Sequence, residues 1–159
     1  AYPPQRGQVI KADSYAHDAT GITTEDAQIT REMSDKRMLK AQSLARELEG
    51  YETVKLLGDE RSRTCLLFWG SNKGVCREAA ESLGLRAVQV LVLWPFPEKR
   101  LKDALRGVER LISVECNATG QLATLCRQYG IDVDDRILKY DGRPFSLNDL
   151  EIELERREA

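Results

Sequence analysis

Val114-Glu115-Cys116-Asn117-Ala118-Thr119-Gly120-Gln121-Leu122 decides how this chain is read. A short apolar run, Leu111-Ile112-Ser113-Val114, leads into it, and Leu122, Leu125, Cys126 and Tyr129 follow at helical spacing. The pattern is strand, glycine-containing loop, helix. A second unit of the same kind lies upstream. Cys65-Leu66-Leu67-Phe68-Trp69 runs into Gly70-Ser71-Asn72-Lys73-Gly74, and Val75, Ala79 and Leu83 mark the helix beyond. Repetition of this unit predicts an open, mostly parallel α/β sheet whose loops at the carboxyl ends of the strands line a crevice.

The alternation continues on both sides. The reading places strands at 65–69, 87–93, 111–115 and 136–140, with helices at 75–83, 98–106 and 121–129 between them. Gly84 and Gly130 stop two of the helices, and Pro97 suits the first position of the middle one. Residues 87–93 and 111–114 are nearly continuous apolar runs, as expected where helices cover both faces of a sheet. The fold expectation is a three-layer α/β/α domain with a mostly parallel sheet of about five strands. The segment from Thr53 to Leu57 is expected as an antiparallel edge strand. Near the end, Ser146 can cap a last helix with Asp149 as its capping-box partner, and Leu147, Leu150 and Leu154 form its apolar stripe.

The amino-terminal part reads differently. Residues 1–24 are expected to be an arm or linker from a preceding domain, with Val9 to Ala12 a short strand, and residues 25–159 the α/β domain. A long helix follows the arm, capped by Thr23 or Thr24 and stopped at Gly50, with Met38, Ala41, Leu44, Ala45 and Leu48 at helical spacing. The sequence starts at Ala1, which is read as a piece of something longer.

Composition bounds the function classes. The 159 residues carry 42% hydrophobic and 31% charged side chains and a net charge of −2. A domain of this size buries roughly 68–70% of its unfolded surface, enough for a core without staples. The acidic balance argues against nucleic acid as a partner, and no apolar run approaches the ~18–20 residues of a membrane span. Four cysteines and no visible secretory signal lead to an expectation of reduced thiols in the cytoplasm.

Several residues carry candidate chemistry. Gly70, Ser71, Lys73 and Gly74 can offer backbone amides, a hydroxyl and a charge to a phosphate or carboxylate; the competing reading is a tight βα turn. Glu115 and Asn117 stand at a strand's carboxyl end, where reacting groups often sit; the competing reading is a carboxylate that hydrogen-bonds loop amides or a neighbouring domain. Gly120 and Gln121 complete this set of anion-binding or interface loops. His17 and Asp18 are candidates for proton transfer or for an interdomain contact in the arm. Cys65 and Cys126 are expected to point into the core, and Cys116 to stand at the mouth of the crevice. The cysteine spacings, 65, 76, 116 and 126, fit neither zinc-ribbon nor ferredoxin patterns, so no metal site is expected. Trp94-Pro95-Phe96-Pro97 is a rigid apolar loop that covers the core or packs against another domain.

Four motifs in order carry a family resemblance. These are His17-Asp18 with Gly21-Ile22-Thr23, then Trp69-Gly70-Ser71 with Gly74, then Glu115-Cys116-Asn117 with Gly120-Gln121-Leu122, then Lys139-Tyr140-Asp141-Gly142-Arg143-Pro144-Phe145. Together they resemble the C-terminal domain of the alpha subunit of a 2-oxoacid:ferredoxin oxidoreductase, the 2-oxoglutarate type being most similar. The resemblance implies a transketolase C-terminal-domain fold. It also implies an enzyme that decarboxylates a 2-oxoacid to an acyl-coenzyme A and passes electrons to ferredoxin. Thiamine diphosphate, an iron–sulfur cluster and coenzyme A are then expected in the holoenzyme and none of them in this chain. The expected partners are other domains and subunits, with ferredoxin contacted indirectly. The chain is accordingly expected to be a non-catalytic, subunit-organising domain, inactive alone. The alternatives are an anion or coenzyme A binding module at the sheet crevice, or a thiol-based interaction protein.

Overall fold

The computed structural model describes residues 6–7 and 12–158. Most of the strand expected at Val9 to Ala12 lies outside them. The chain divides into two compact units, residues 1–47 and 48–159.

In the first unit a two-residue ladder joins β1, Ala16–His17, to β2, Thr23–Thr24, antiparallel. Asp18 closes the turn between them. Its carboxylate accepts hydrogen bonds from the Thr20 hydroxyl at 2.6 Å and from the amides of Thr20 and Ile22. Helix α1, Ala27–Leu48, follows. Its cap is not Thr23 or Thr24, which are taken up by β2. Asp26 accepts instead from the amide of Ile29 at 2.9 Å, the geometry of an N-cap carboxylate. No residue of α1 is buried; Met38 and Leu44 of its apolar set are exposed, as is Leu39.

The second unit is a five-stranded sheet between two helical layers. Its strands are β3, Val54–Gly58; β4, Thr64–Trp69; β5, Arg86–Val90; β6, Arg110–Glu115; and β7, Asp135–Leu138. They lie in the order β3-β5-β4-β6-β7, with only β3 antiparallel. Helices α2, Lys73–Leu83, and α5, Leu147–Glu158, cover one face; α3, Glu98–Ala104, and α4, Gln121–Gln128, cover the other. Strand alternation sorts the core between the faces. Leu66, Phe68, Ile112 and Val114 pack with Cys76, Ala79 and Leu150, while Cys65, Leu67, Val88 and Leu111 pack with Leu101, Leu122 and Cys126.

Some boundaries differ from the sequence reading for identifiable reasons. The apolar run 87–93 leaves the ladder at Val90, because the amides of Leu91 and Val92 both turn to the carbonyl of Thr53. The helix expected at 98–106 ends at Ala104, and Pro97 is its N-cap, not its first residue. The helix expected at 75–83 starts earlier, at Lys73, preceded by a 3-10 turn over Gly70–Asn72. The last strand stops at Leu138, although Lys139 still donates its amide to the carbonyl of Glu115. Ser146 and Asp149 form the expected reciprocal cap. The Asp149 amide donates to the Ser146 hydroxyl, and the Ser146 amide donates to the Asp149 carboxylate, each at 3.1 Å.

Candidate functional site

Chain direction creates the site. From β4 the chain passes through α2 to β5 on one side; from β6 it passes through α4 to β7 on the other. The switch point therefore lies between the carboxyl ends of the neighbouring parallel strands β4 and β6, where such sheets open a crevice. The two loops there are the two quoted at the outset, Gly70–Gly74 and Cys116–Gln121.

Asn72 joins them. It is buried, its Nδ2 donates to the carbonyl of Val114 at 3.0 Å, and its Oδ1 accepts from the Cys116 thiol at 3.1 Å. Sequence reasoning left Asn72 off the candidate set. Its only local signal was a polar residue between two exposed ones, and its partners lie 42 and 44 residues away. Beneath the same turn, Gln89 Nε2 donates to the carbonyl of Gly70 at 3.3 Å. Gly70, Ser71, Lys73 and Gly74 themselves are exposed.

Glu115 faces inward, with 0% of its surface exposed. Its Oε2 accepts from the amide of Leu122 at 2.7 Å and from Asn117 Nδ2 at 2.8 Å, and its Oε1 accepts from the amide of Ala123 at 3.1 Å. Asn117 Oδ1 in turn accepts from the amides of Thr119, Gly120 and Gln121. The electropositive start of α4 is thus closed by two side chains of the chain itself. Gly120 has φ +64, and a Cβ there would stand 3.1 Å from Cδ and Nη1 of Arg136, so only glycine permits both the turn and the close guanidinium.

A shallow concavity of about 420 Å³ opens beside the two loops, with Ser71, Cys116, Lys139, Tyr140 and Arg143 in its wall. Lys139 is held by Asp141 at 3.2 Å and Asp149 at 3.3 Å, which raises its pKa, the Asp141 hydrogen bond contributing most. Two aromatic residues following the carboxyl ends of strands are open to solvent, Trp94 at 66% and Tyr140 at 70%. Phe96 instead stacks on Tyr129 at 4.3 Å and covers the core.

Cys65 and Cys126 point into the core, and Cys116 is the exposed thiol. Burial pushes the Cys65 and Cys126 thiols up to about 12, with the charge of Glu115 adding to the effect on Cys126, and raises Cys76 as well. Among the described residues no three His, Cys, Asp or Glu side chains stand together as a metal site. No helix among them is long and apolar enough to cross a membrane. In the first unit, His17 Nε2 lies 3.4 Å from Asp13 Oδ2, and the Thr20 hydroxyl leads the hydrogen bonds that hold Asp18 below the usual carboxylate range.

A five-stranded, mostly parallel sheet with one antiparallel edge and helices on both faces is the transketolase C-terminal type of α/β domain. A solved structure shares this fold. It is a 2-oxoglutarate:ferredoxin oxidoreductase from Magnetococcus marinus with 2-oxoglutarate, coenzyme A and succinyl-CoA bound. The TM-score is 0.70 at 23% identity, covering 100% of this chain and 28% of that one. No protein-family model matches the chain. Sequence relatives narrow the class. The chain is 34% identical over 138 residues to 2-oxoacid:ferredoxin oxidoreductase 1, subunit alpha, of Sulfurisphaera tokodaii. It is 39% identical over 134 residues to 2-oxoacid:ferredoxin oxidoreductase 2, subunit alpha, of Aeropyrum pernix. These matches cover 85% and 80% of this chain. The chain belongs to the 2-oxoacid:ferredoxin oxidoreductase alpha-subunit family and spans about a fifth of the length of the curated relatives it matches, 22% and 21%.

Proposed function

We propose that this chain is a structural domain of a 2-oxoacid:ferredoxin oxidoreductase, acting on 2-oxoglutarate, and that it organises the other parts of the enzyme instead of performing the chemistry. One observation carries the reading: the carboxylate best placed to react, Glu115, is wholly enclosed and spent on the amides of Leu122 and Ala123. A general acid or base needs a proton path to a substrate; Glu115 has three internal donors in its place. The rim above it offers exposed aromatic side chains, Trp94 and Tyr140, of the kind enriched at the cores of protein interfaces. His17 and Asp18, tied into the small ladder by Asp13 and Thr20, serve as an interdomain contact within the arm of residues 1–24.

The residues present do not fit the enzyme's expected metal cluster. Three of the four thiols are buried, and among the described residues no three ligating groups converge. In this reading the iron–sulfur cluster and thiamine diphosphate belong to other parts of the enzyme, ferredoxin is met there, and the assembly is cytoplasmic.

A second reading has its own support. The helical run starting at Gly70 has no side-chain cap at its N-terminus, at Trp69 or at Asn72, so the Gly70–Gly74 loop keeps donors that α4 has lost. Those donors could hold an anionic group, such as part of coenzyme A.

Paired substitutions Ser71→Ala and Lys73→Ala in the assembled oxidoreductase separate the two. The structural reading expects weaker assembly and unchanged turnover per assembled complex. Intact assembly with turnover at saturating 2-oxoacid preserved but the KM for coenzyme A raised tenfold supports the second reading. Reduction of an artificial acceptor by the purified chain alone, dependent on 2-oxoacid, refutes the first.

A further inference from the structure

Strand β7 is the outer strand of the sheet on the side away from β3, and α5 runs beside it. Between them lies a groove of about 580 Å³, walled mainly by β7 and α5 and adjoining the crevice at Ala118, Lys139 and Tyr140. Four cations line it, Arg136, Lys139, Arg156 and Arg157, against two carboxylates, Asp149 and Glu153. Asp135 and Asp141 at its margin pair with Arg157 and Lys139, so the four cations meet four carboxylates in all.

The pairing inside the groove leaves one cation over. Arg157 binds Glu153 at 2.6 Å and Asp135 at 2.9 Å, Arg156 binds Glu153 at 2.8 Å, and Lys139 binds Asp149. Arg136 has no carboxylate among the described residues. Its side chain lies across Gly120, with Cδ and Nη1 each 3.1 Å from where a Cβ would stand. A half-buried guanidinium without a carboxylate of its own presents a planar fork suited to one.

The main chain adds a second requirement. Residues 137 and 139 turn inward to β6, as the Lys139 amide on the Glu115 carbonyl shows, so residues 136 and 138 turn outward. The outward groups of Arg136 are occupied. Its amide donates to Asp135 at 2.7 Å, and its carbonyl accepts from Arg157 at 3.3 Å. The outward N–H and carbonyl of Leu138 have no partner among the described residues. Tyr140 and Ile152 stand exposed at the groove beside them.

We propose that this groove is the docking site of an acidic, extended segment of a partner polypeptide, with a carboxylate on Arg136 and main-chain hydrogen bonds to Leu138. Edge-strand addition supplies the main-chain bonds, and the spare guanidinium selects the charge. The surface goes beyond the crevice rim. It rests on the proposed function only in taking the partner to be another part of the same enzyme.

The test is made in the assembled oxidoreductase with Ile152→p-benzoylphenylalanine as a photo-crosslinking probe. The expected product is a cross-link to a segment with net negative charge from outside residues 1–159; a cross-link to residues 1–47 counts against the proposal. Arg136→Glu should cut its yield at least tenfold, and Arg136→Lys less than threefold. Leu138→Pro removes an outward N–H that no ladder bond uses, and should also lower the yield while leaving the urea midpoint of the complex unchanged. No cross-link, a cross-link to a neutral or basic segment or to a second copy of this groove, or a yield indifferent to Arg136→Glu overturns the proposal. If Ser71→Ala and Lys73→Ala weaken assembly while Arg136→Glu does not, only this inference fails and the structural reading of the rim stands.

Discussion

Replacing Glu115 by glutamine exchanges one oxygen for an NH2 group and tests the capping role of this side chain. The carboxylate meets only donors: the Leu122 amide and Asn117 Nδ2 on one oxygen, the Ala123 amide on the other. A glutamine must turn its NH2 toward one of them. The least costly rotamer faces Ala123, loses that bond and leaves two N–H groups opposed in a site with no exposure. A hydrogen bond to a charged partner contributes about 1.5–3 kcal/mol, and a negative charge at a helix start adds about 0.3–1 kcal/mol. The variant should therefore lose roughly 2–4 kcal/mol, a large share of a typical domain stability of about 5–15 kcal/mol. Urea unfolding followed by the fluorescence of Trp69 and Trp94 reads this out. With a denaturant slope of about 2 kcal/mol/M, the midpoint should fall by about 1–2 M. A midpoint within about 0.3 M of the parent, at an unchanged slope, refutes the reasoning. The carboxylate would then contribute nothing to α4 and be free for chemistry.

Thiol labelling and acid titration provide two further checks. At pH 8 a disulfide reagent should modify Cys116 alone in the folded protein and all four cysteines in urea, because burial keeps Cys65 and Cys126 protonated until about pH 12. Asn72→Ala should speed Cys116 labelling severalfold and cost about 1–2 kcal/mol for the bond lost at Val114; an unchanged rate contradicts the joint between the loops. The Ser146 amide, the Ser146 hydroxyl and Lys139 all hold Asp149 below its ordinary 3.8, so its contribution is present above that value and is lost as pH falls through the lower folded value. Lys139 is raised above 10.5, so its share is present below that value and fades as pH rises through the higher folded one. Asp149→Asn should accordingly flatten the fall in stability as pH drops below 3.8, measured by urea midpoints. Both groups are partly solvated, so the change should be small, and a steeper fall in the variant contradicts the assignment.

How far the sequence can be read depends on the range of each interaction. The Ser146–Asp149 cap is legible because its partners are three residues apart. The core positions of β4 and β6 are legible because alternation and continuous apolarity follow from burial on two faces. The overrun of the 87–93 strand is instructive. Leu91 and Val92 are as apolar as the strand itself, but the carbonyl of Thr53, just before β3, takes their amides and ends the ladder. The cap of α1 lies two or three residues beyond Thr23 and Thr24, because these and Asp26 all offer suitable oxygens and the β1–β2 pairing leaves the role to Asp26.

Local residue chemistry was sufficient to determine an alternating α/β chain, its two glycine loops at strand ends and a carboxylate poised at one of them. Only the tertiary structure decided what those groups do. Whether an amide, a carboxylate or a guanidinium is available depends on partners tens of residues away. Asn72 reaches Val114, α4 folds back to consume Glu115, and α5 comes to lie beside β7 with Arg136 left unpaired. Hydrogen bonds and ion pairs saturate, so a residue's type states what it can bind, and the fold settles which of its sites remain open.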